Sequence, residues 1–183
     1  MNRSNKYYPP RFIMRTKDPD TRRIIDLWTF RSTKSRKRYI VEVEHFKDYF
    51  LGIKFYWKGA NLSVERYSLM TNDYEPRTIV RSCIRVMFDY FTKDDRTSFG
   101  FVGAHDLVEL PKCDFPNKRF RFYRRMMLSL FGPETFVQLN DVKNPLYFLV
   151  RRNRYDSGEV TMEKIEQELS EMYEGDYNLV LAE

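Results

Sequence analysis

The stretch Tyr39-Ile40-Val41-Glu42-Val43-Glu44-His45-Phe46 decides the fold class. Ile40, Glu42 and Glu44 fall on one side and Tyr39, Val41, Val43 and His45 on the other, the period of two that a pleated strand imposes. Working outward, Arg23-Ile24-Ile25-Asp26-Leu27-Trp28-Thr29-Phe30 is rich in β-branched and aromatic residues. The polar run Arg31–Arg38 joins it to the first strand as a hairpin loop. On the far side, residues 49–57 form a third strand with Gly52 as a candidate bulge, and Tyr67-Ser68-Leu69-Met70 a shorter fourth. Four strands in succession predict an antiparallel meander.

The period then changes. Thr71-Asn72-Asp73 offers capping side chains, Pro76 suits a first helical turn, and Ile79, Val80, Cys83, Ile84, Met87, Phe88 and Phe91 recur at three- and four-residue steps. Ser98–Val102 reads as a short strand ended by Gly103, and Pro111 and Pro116 mark a loop. Residues 117–131 read as a helix with Phe120, Tyr123, Met127 and Leu130 inward. Thr135–Leu139 and Leu146–Arg151 read as a hairpin, and about 161–173 as an acidic amphipathic helix with Met162, Ile165, Leu169 and Met172 on one side. The fold class expected is α+β: an antiparallel meander, then helix, strand, helix and hairpin, with helices on the sheet faces. Residues 1–20, with Pro9, Pro10 and Pro19, read as an N-terminal arm, 21–154 as a single domain and 155–183 as an acidic helix and tail.

Composition bounds the function classes. The 183 residues include 15 Phe and 13 Tyr, more apolar bulk than a disordered chain carries. No apolar run is long enough to span a bilayer, so no membrane partner is expected. Two cysteines, Cys83 and Cys113, are too few for a disulfide framework, and the start MNRSNKYYPPRF lacks the apolar run of a signal peptide; a cytoplasmic location is the expectation. With two histidines and no close Cys/His pairs, a zinc site is not expected, and the seven glycines form no phosphate-binding loop. Charge is unevenly distributed: residues 1–40 carry 12 Lys/Arg and 3 acids, 112–154 carry 10 and 3, and 155–183 carry 1 and 9. Basic blocks of this kind suit an anionic partner, nucleic acid or an acidic protein.

The candidate binding residues follow. In Asn117-Lys118-Arg119-Phe120-Arg121-Phe122-Tyr123-Arg124-Arg125-Met126, helical spacing puts Lys118, Arg121 and Arg125 on one ridge, flanked by Arg119 and Arg124. Guanidinium groups so arranged can track a phosphate backbone. The hairpin tip adds Lys34, Arg36, Lys37 and Arg38. The competing structural reading sets the acidic helix against this ridge, masking it, or uses the C-terminal helix and Asn178–Leu181 as an oligomer contact.

The element order also resembles the core of the GNAT acyltransferase family over roughly residues 67–150. Asn117-x-x-Phe120-x-Phe122-Tyr123 is similar to that family's Asn-x-x-Ala-x-Leu-Tyr element. The resemblance implies a coenzyme A enzyme with Tyr123 as the acid toward the thiolate and Glu42, Glu44 or His45 as base. Arg77-x-x-Val80-x-Ser82 replaces both glycines of the family's phosphate clasp, so the resemblance implies a scaffold without a cofactor. The layout is similar as well to small bacterial proteins found beside mobile elements; a toxin or nuclease of a defence system would use His105 and Asp106. The leading expectation is a non-catalytic module that binds a polyanion.

Overall fold

The computed structural model describes residues 7–63, 65–67, 73–102, 118–173 and 175–182. Among them are eight strands and four helices, an α+β fold. No helix of the described residues is long and apolar enough to cross a membrane. The chain divides into two compact units, Met1–Asp94 and Asp95–Glu183, so the division falls inside the stretch 21–154 read as one domain.

The first unit is an antiparallel meander, β1 (Arg11–Lys17), β2 (Ile24–Arg31), β3 (Arg38–His45) and β4 (Phe50–Trp57), followed by a 3-10 turn at Lys58–Ala60 and α1 (Pro76–Phe91). Cross-strand partners share a face. Trp28, Val41 and Phe55 lie in one row and Phe30, Tyr39 and Trp57 in the next, with Asp26 opposite Val43 on the same side. Helix α1 covers this face: the Trp28 indole N–H donates to the Tyr90 hydroxyl at 3.0 Å, and the Tyr8 amide donates to Ser82 Oγ at 2.8 Å. Leu27, Glu42 and Lys54 make a row on the opposite face.

Several expectations change here. Residues 11–17 are a strand rather than part of an arm. Residue Tyr67 sits in a turn, and 68–70 lie outside the described residues, so the meander's four strands are one place earlier in the chain than expected. Gly52 is no bulge: the β3–β4 register runs through it without a shift. A Cβ there would come within 2.7 Å of Phe46 Cε2, so the glycine makes room for that ring. Asp73 caps no helix; Glu75 is the N-cap residue of α1, without a side-chain capping bond, and Asp73 turns to Lys37 and Tyr39.

The second unit contains β5 (Ser98–Val102), α2 (Lys118–Leu130), β6 (Phe136–Asp141), β7 (Leu146–Arg151), α3 (Arg152–Asp156), α4 (Met162–Met172) and β8 (Val180–Leu181). Its strands run in the order β5-β7-β6-β8, all antiparallel. Every residue of β6 is buried, as is all of β7 but Arg151, so both faces of this hairpin are covered. The polar members are satisfied internally. Gln138 donates to the Phe131 carbonyl at 2.7 Å and accepts from the Tyr147 hydroxyl. Asp141 accepts the amides of Lys143, Asn144 and Asn178, closing the hairpin turn and holding the chain that leads into β8. Buried Arg154 in α3, an element the sequence did not suggest, pairs with Glu159 at 2.7 Å and donates to the Arg96 carbonyl.

Candidate functional site

Helix α2 is built from good helix formers, Arg, Lys, Met and Leu, around an aromatic anchor. Phe120, Met126 and Met127 are buried; Tyr123 is half-buried and Leu130 exposed, so the inward stripe is rotated from the predicted one. Phe120 meets the Tyr147 ring edge-on, and Phe131, directly after the helix, meets Phe136 in the same way. The Gln138 bond to the Phe131 carbonyl ties the C-terminal end of α2 to the sheet. Burial pushes the Tyr147 hydroxyl well above its ordinary range, partly offset by the nearby Arg124 guanidinium, so it stays a neutral hydrogen-bond donor.

With that stripe inward, Lys118, Arg121 and Arg125 point to solvent, and none of the three forms an ion pair among the described residues. Six guanidinium groups elsewhere among the described residues pair with acids, while others, such as Arg77 and Arg81 on α1, do not. Arg15 binds Asp26, Arg23 binds Glu44 at 2.5 Å, Arg66 approaches Glu42 at 3.7 Å, Arg85 binds Asp89 and Arg152 binds Asp156. Arg119 and Arg124 flank the ridge, partly buried and with partners of their own. Among the described residues, no acid of helix α4 forms an ion pair with Lys118, Arg121 or Arg125. Its Glu166 accepts the Leu179 amide, Glu171 accepts from Gln167, and Lys164 donates to the Gly158 and Glu159 carbonyls.

The hairpin tip behaves differently. Lys37 Nζ lies 2.8 Å from Asp73 Oδ1 and 5.1 Å from the Trp57 ring centroid, and Lys34 Nζ donates to the Asp73 and Tyr74 carbonyls. Beneath them, buried Ser32 donates to Glu75 Oε1 at 2.6 Å and accepts the amides of Lys34 and Ser35; Tyr8 donates to Glu75 Oε2 at 2.5 Å. Two of the four predicted tip cations are therefore engaged within the chain. Arg36 and Arg38 are exposed, with Arg36 at the left-handed φ of 61° that closes the turn.

The residues named for the acyl-transfer alternative are also placed. Glu44 is held between Arg23 and Lys54, and Glu42 accepts from Tyr67 beside Arg66, so both carboxylates are already neutralised. His45 Nε2 lies 2.9 Å from Asp26 Oδ2; a carboxylate only accepts, so Nε2 carries the proton. Tyr123 lies on α2. Asn117, His105, Asp106 and Cys113 lie outside the described residues. Burial pushes the Cys83 thiol far up, leaving it without nucleophilic character. No group of three or more His, Cys, Asp or Glu among the described residues can hold a metal ion.

Sequence reasoning missed the cluster around Asp26. Its Oδ1 accepts from Arg15 Nε at 2.6 Å and its Oδ2 from Arg15, His45 and Tyr90. The available signal was an acid on the same strand face as Trp28 and Phe30, which demands partners once covered. No family model, curated protein or solved structure matches the chain.

Proposed function

We propose that this protein is a nucleic-acid-binding module whose contact surface is the ridge Lys118, Arg121 and Arg125 on α2, with Arg36 and Arg38 at the hairpin tip of the first unit as a separate contact. One observation carries the reading: these three α2 cations stand in solvent along one helix ridge, with no acidic partner among the described residues. Cations along a helix ridge neutralise successive phosphates and release counterions, giving affinity that is salt-dependent and blind to sequence. Phe122, half-exposed between the arginines, offers a ring on which a base stacks, which favours single strands. Lys34 and Lys37 support the fold and are not part of this surface.

Fluorescence anisotropy with single- and double-stranded oligonucleotides at two salt concentrations tests this. Binding is expected at low salt, tighter for single strands, and lost in Lys118→Glu/Arg121→Glu/Arg125→Glu. Absence of binding at low salt refutes it, as does unchanged binding by that variant.

The order strand ×4, helix, strand, helix, strand pair is present, and it favours a second reading, a scaffold of GNAT acyltransferase type. That reading lacks a free base on the first sheet, since Glu42 and Glu44 are committed to ion pairs. A defence-system toxin would rest on His105 and Asp106.

A further inference from the structure

Strand β1 is an outer strand of the first unit's meander; among the described residues it pairs only with β2. Six of its seven residues are exposed. Phe12, Ile13 and Met14 are 51 %, 48 % and 50 % accessible, and Arg11 and Lys17 stand in solvent at its two ends. An edge strand with an apolar centre, whose outer backbone groups no described residue pairs, is a template for a further strand. The cations restrict what can pair there. An antiparallel copy of β1 centred on Met14 would set each Arg11 opposite a Lys17, and a parallel, in-register copy would stack every cation on itself; like charges directly opposite are destabilising.

The complement is on the same chain. Strand β8 is an outer strand of the second unit, paired among the described residues only with β6, and its Val180 and Leu181 are 46 % and 56 % accessible. It is held in place rather than loose: Leu179 is buried, and the Asn178 amide donates to Asp141. Residues 155–183 carry nine acids and one lysine, with exposed Asp176 four residues before the strand, whereas residues 1–40 carry twelve cations and three acids.

We propose that β8 of one copy docks along β1 of a second copy, extending one chain's sheet into the next. The contact is heterologous, each copy presenting a basic apolar edge and an acidic one, so it propagates head-to-tail. It is independent of the α2 surface.

Sedimentation velocity on the full chain, freed of nucleic acid, tests this across a concentration series at low and high salt. The wild type is expected to grow beyond a dimer with concentration and to dissociate at high salt. Arg11→Glu/Lys17→Glu and Val180→Lys/Leu181→Lys should each be monomeric alone. Mixed in equal amounts they should form a two-chain species that grows no further, because one intact β8 meets one intact β1; that rescue also shows both variants to be folded. A wild type that stays monomeric throughout overturns the proposal. So does either variant assembling alone, the mark of a symmetric β1–β1 or β8–β8 contact, and so does a mixture that stays monomeric.

Discussion

At the scale of single residues, Asp26 is the most consequential polar group of the first unit. Burial raises the cost of its charge, but the hydrogen bonds from Arg15, Tyr90 and His45 outweigh it and hold the carboxyl well below the usual carboxylate range. A carboxylate depressed in the folded state contributes stability above its unfolded pKa of about 3.9 and loses that contribution as pH falls below it. Asp26→Asn is therefore expected to lower stability at pH 7 by about 1–3 kcal/mol, the range for leaving buried donors short of a charged acceptor. The gap to wild type should shrink between pH 5 and pH 3, as read from urea unfolding at each pH; a gap constant with pH would mean that Asp26 is not the ionised centre of the cluster. Half of this was legible in advance. An acid inside Ile24–Phe30 is visible in the sequence, but its partners come from three other elements, and only the meander register and the pitch of α1 bring Arg15, His45 and Tyr90 together.

At the scale of elements, legibility followed periodicity. Strand β3, the hairpin to β2 and helix α1 announced themselves by clean repeats, and their bounds agree with the sequence reading to within a residue or two. Strand β1 did not. The register shifts between Phe12 and Met14, so an extra residue breaks the alternation, and exposure on both sides of an edge strand removes the apolar signal altogether. Short α3 gave no repeat at all, being a single turn and a half fixed by buried Arg154. The hairpin tip illustrates a different failure: a run of cations reads as a free loop, while the structure ties it to the start of α1 through Ser32 and Glu75. This latch is testable as a pair. Ser32→Ala and Glu75→Gln should each cost about 1–2 kcal/mol, since each strands a buried polar partner. The double variant should fall short of their sum by at least about 0.5 kcal/mol, the signature of groups in one network. Strict additivity in urea unfolding would place the two residues in separate interactions.

At the scale of the whole molecule, a net charge of +6 says little about where a polyanion would bind, because cations engaged with acids and cations standing free count alike in that sum. The distinction appears only when each side chain is followed to its partner. Lys34 and Lys37 are engaged with Asp73 and Tyr74, whereas Lys118, Arg121 and Arg125 are not engaged with any acid among the described residues. The two groups, alike in sequence, should therefore separate in solution. Each phosphate contact contributes about 0.7 to the slope of log affinity against log salt for a single strand and about 0.9 for a duplex. Lys118→Gln/Arg121→Gln/Arg125→Gln should thus flatten that slope by about 2 to 3 and leave the melting temperature nearly unchanged. Lys34→Gln/Lys37→Gln removes nearly as much positive charge but should leave the slope within about 0.5 of wild type, since it removes no phosphate contact. It should lower the melting temperature instead, because it breaks the contacts that hold the hairpin tip to α1. Equal flattening by both variants would mean that diffuse net charge, rather than the α2 ridge, holds the nucleic acid.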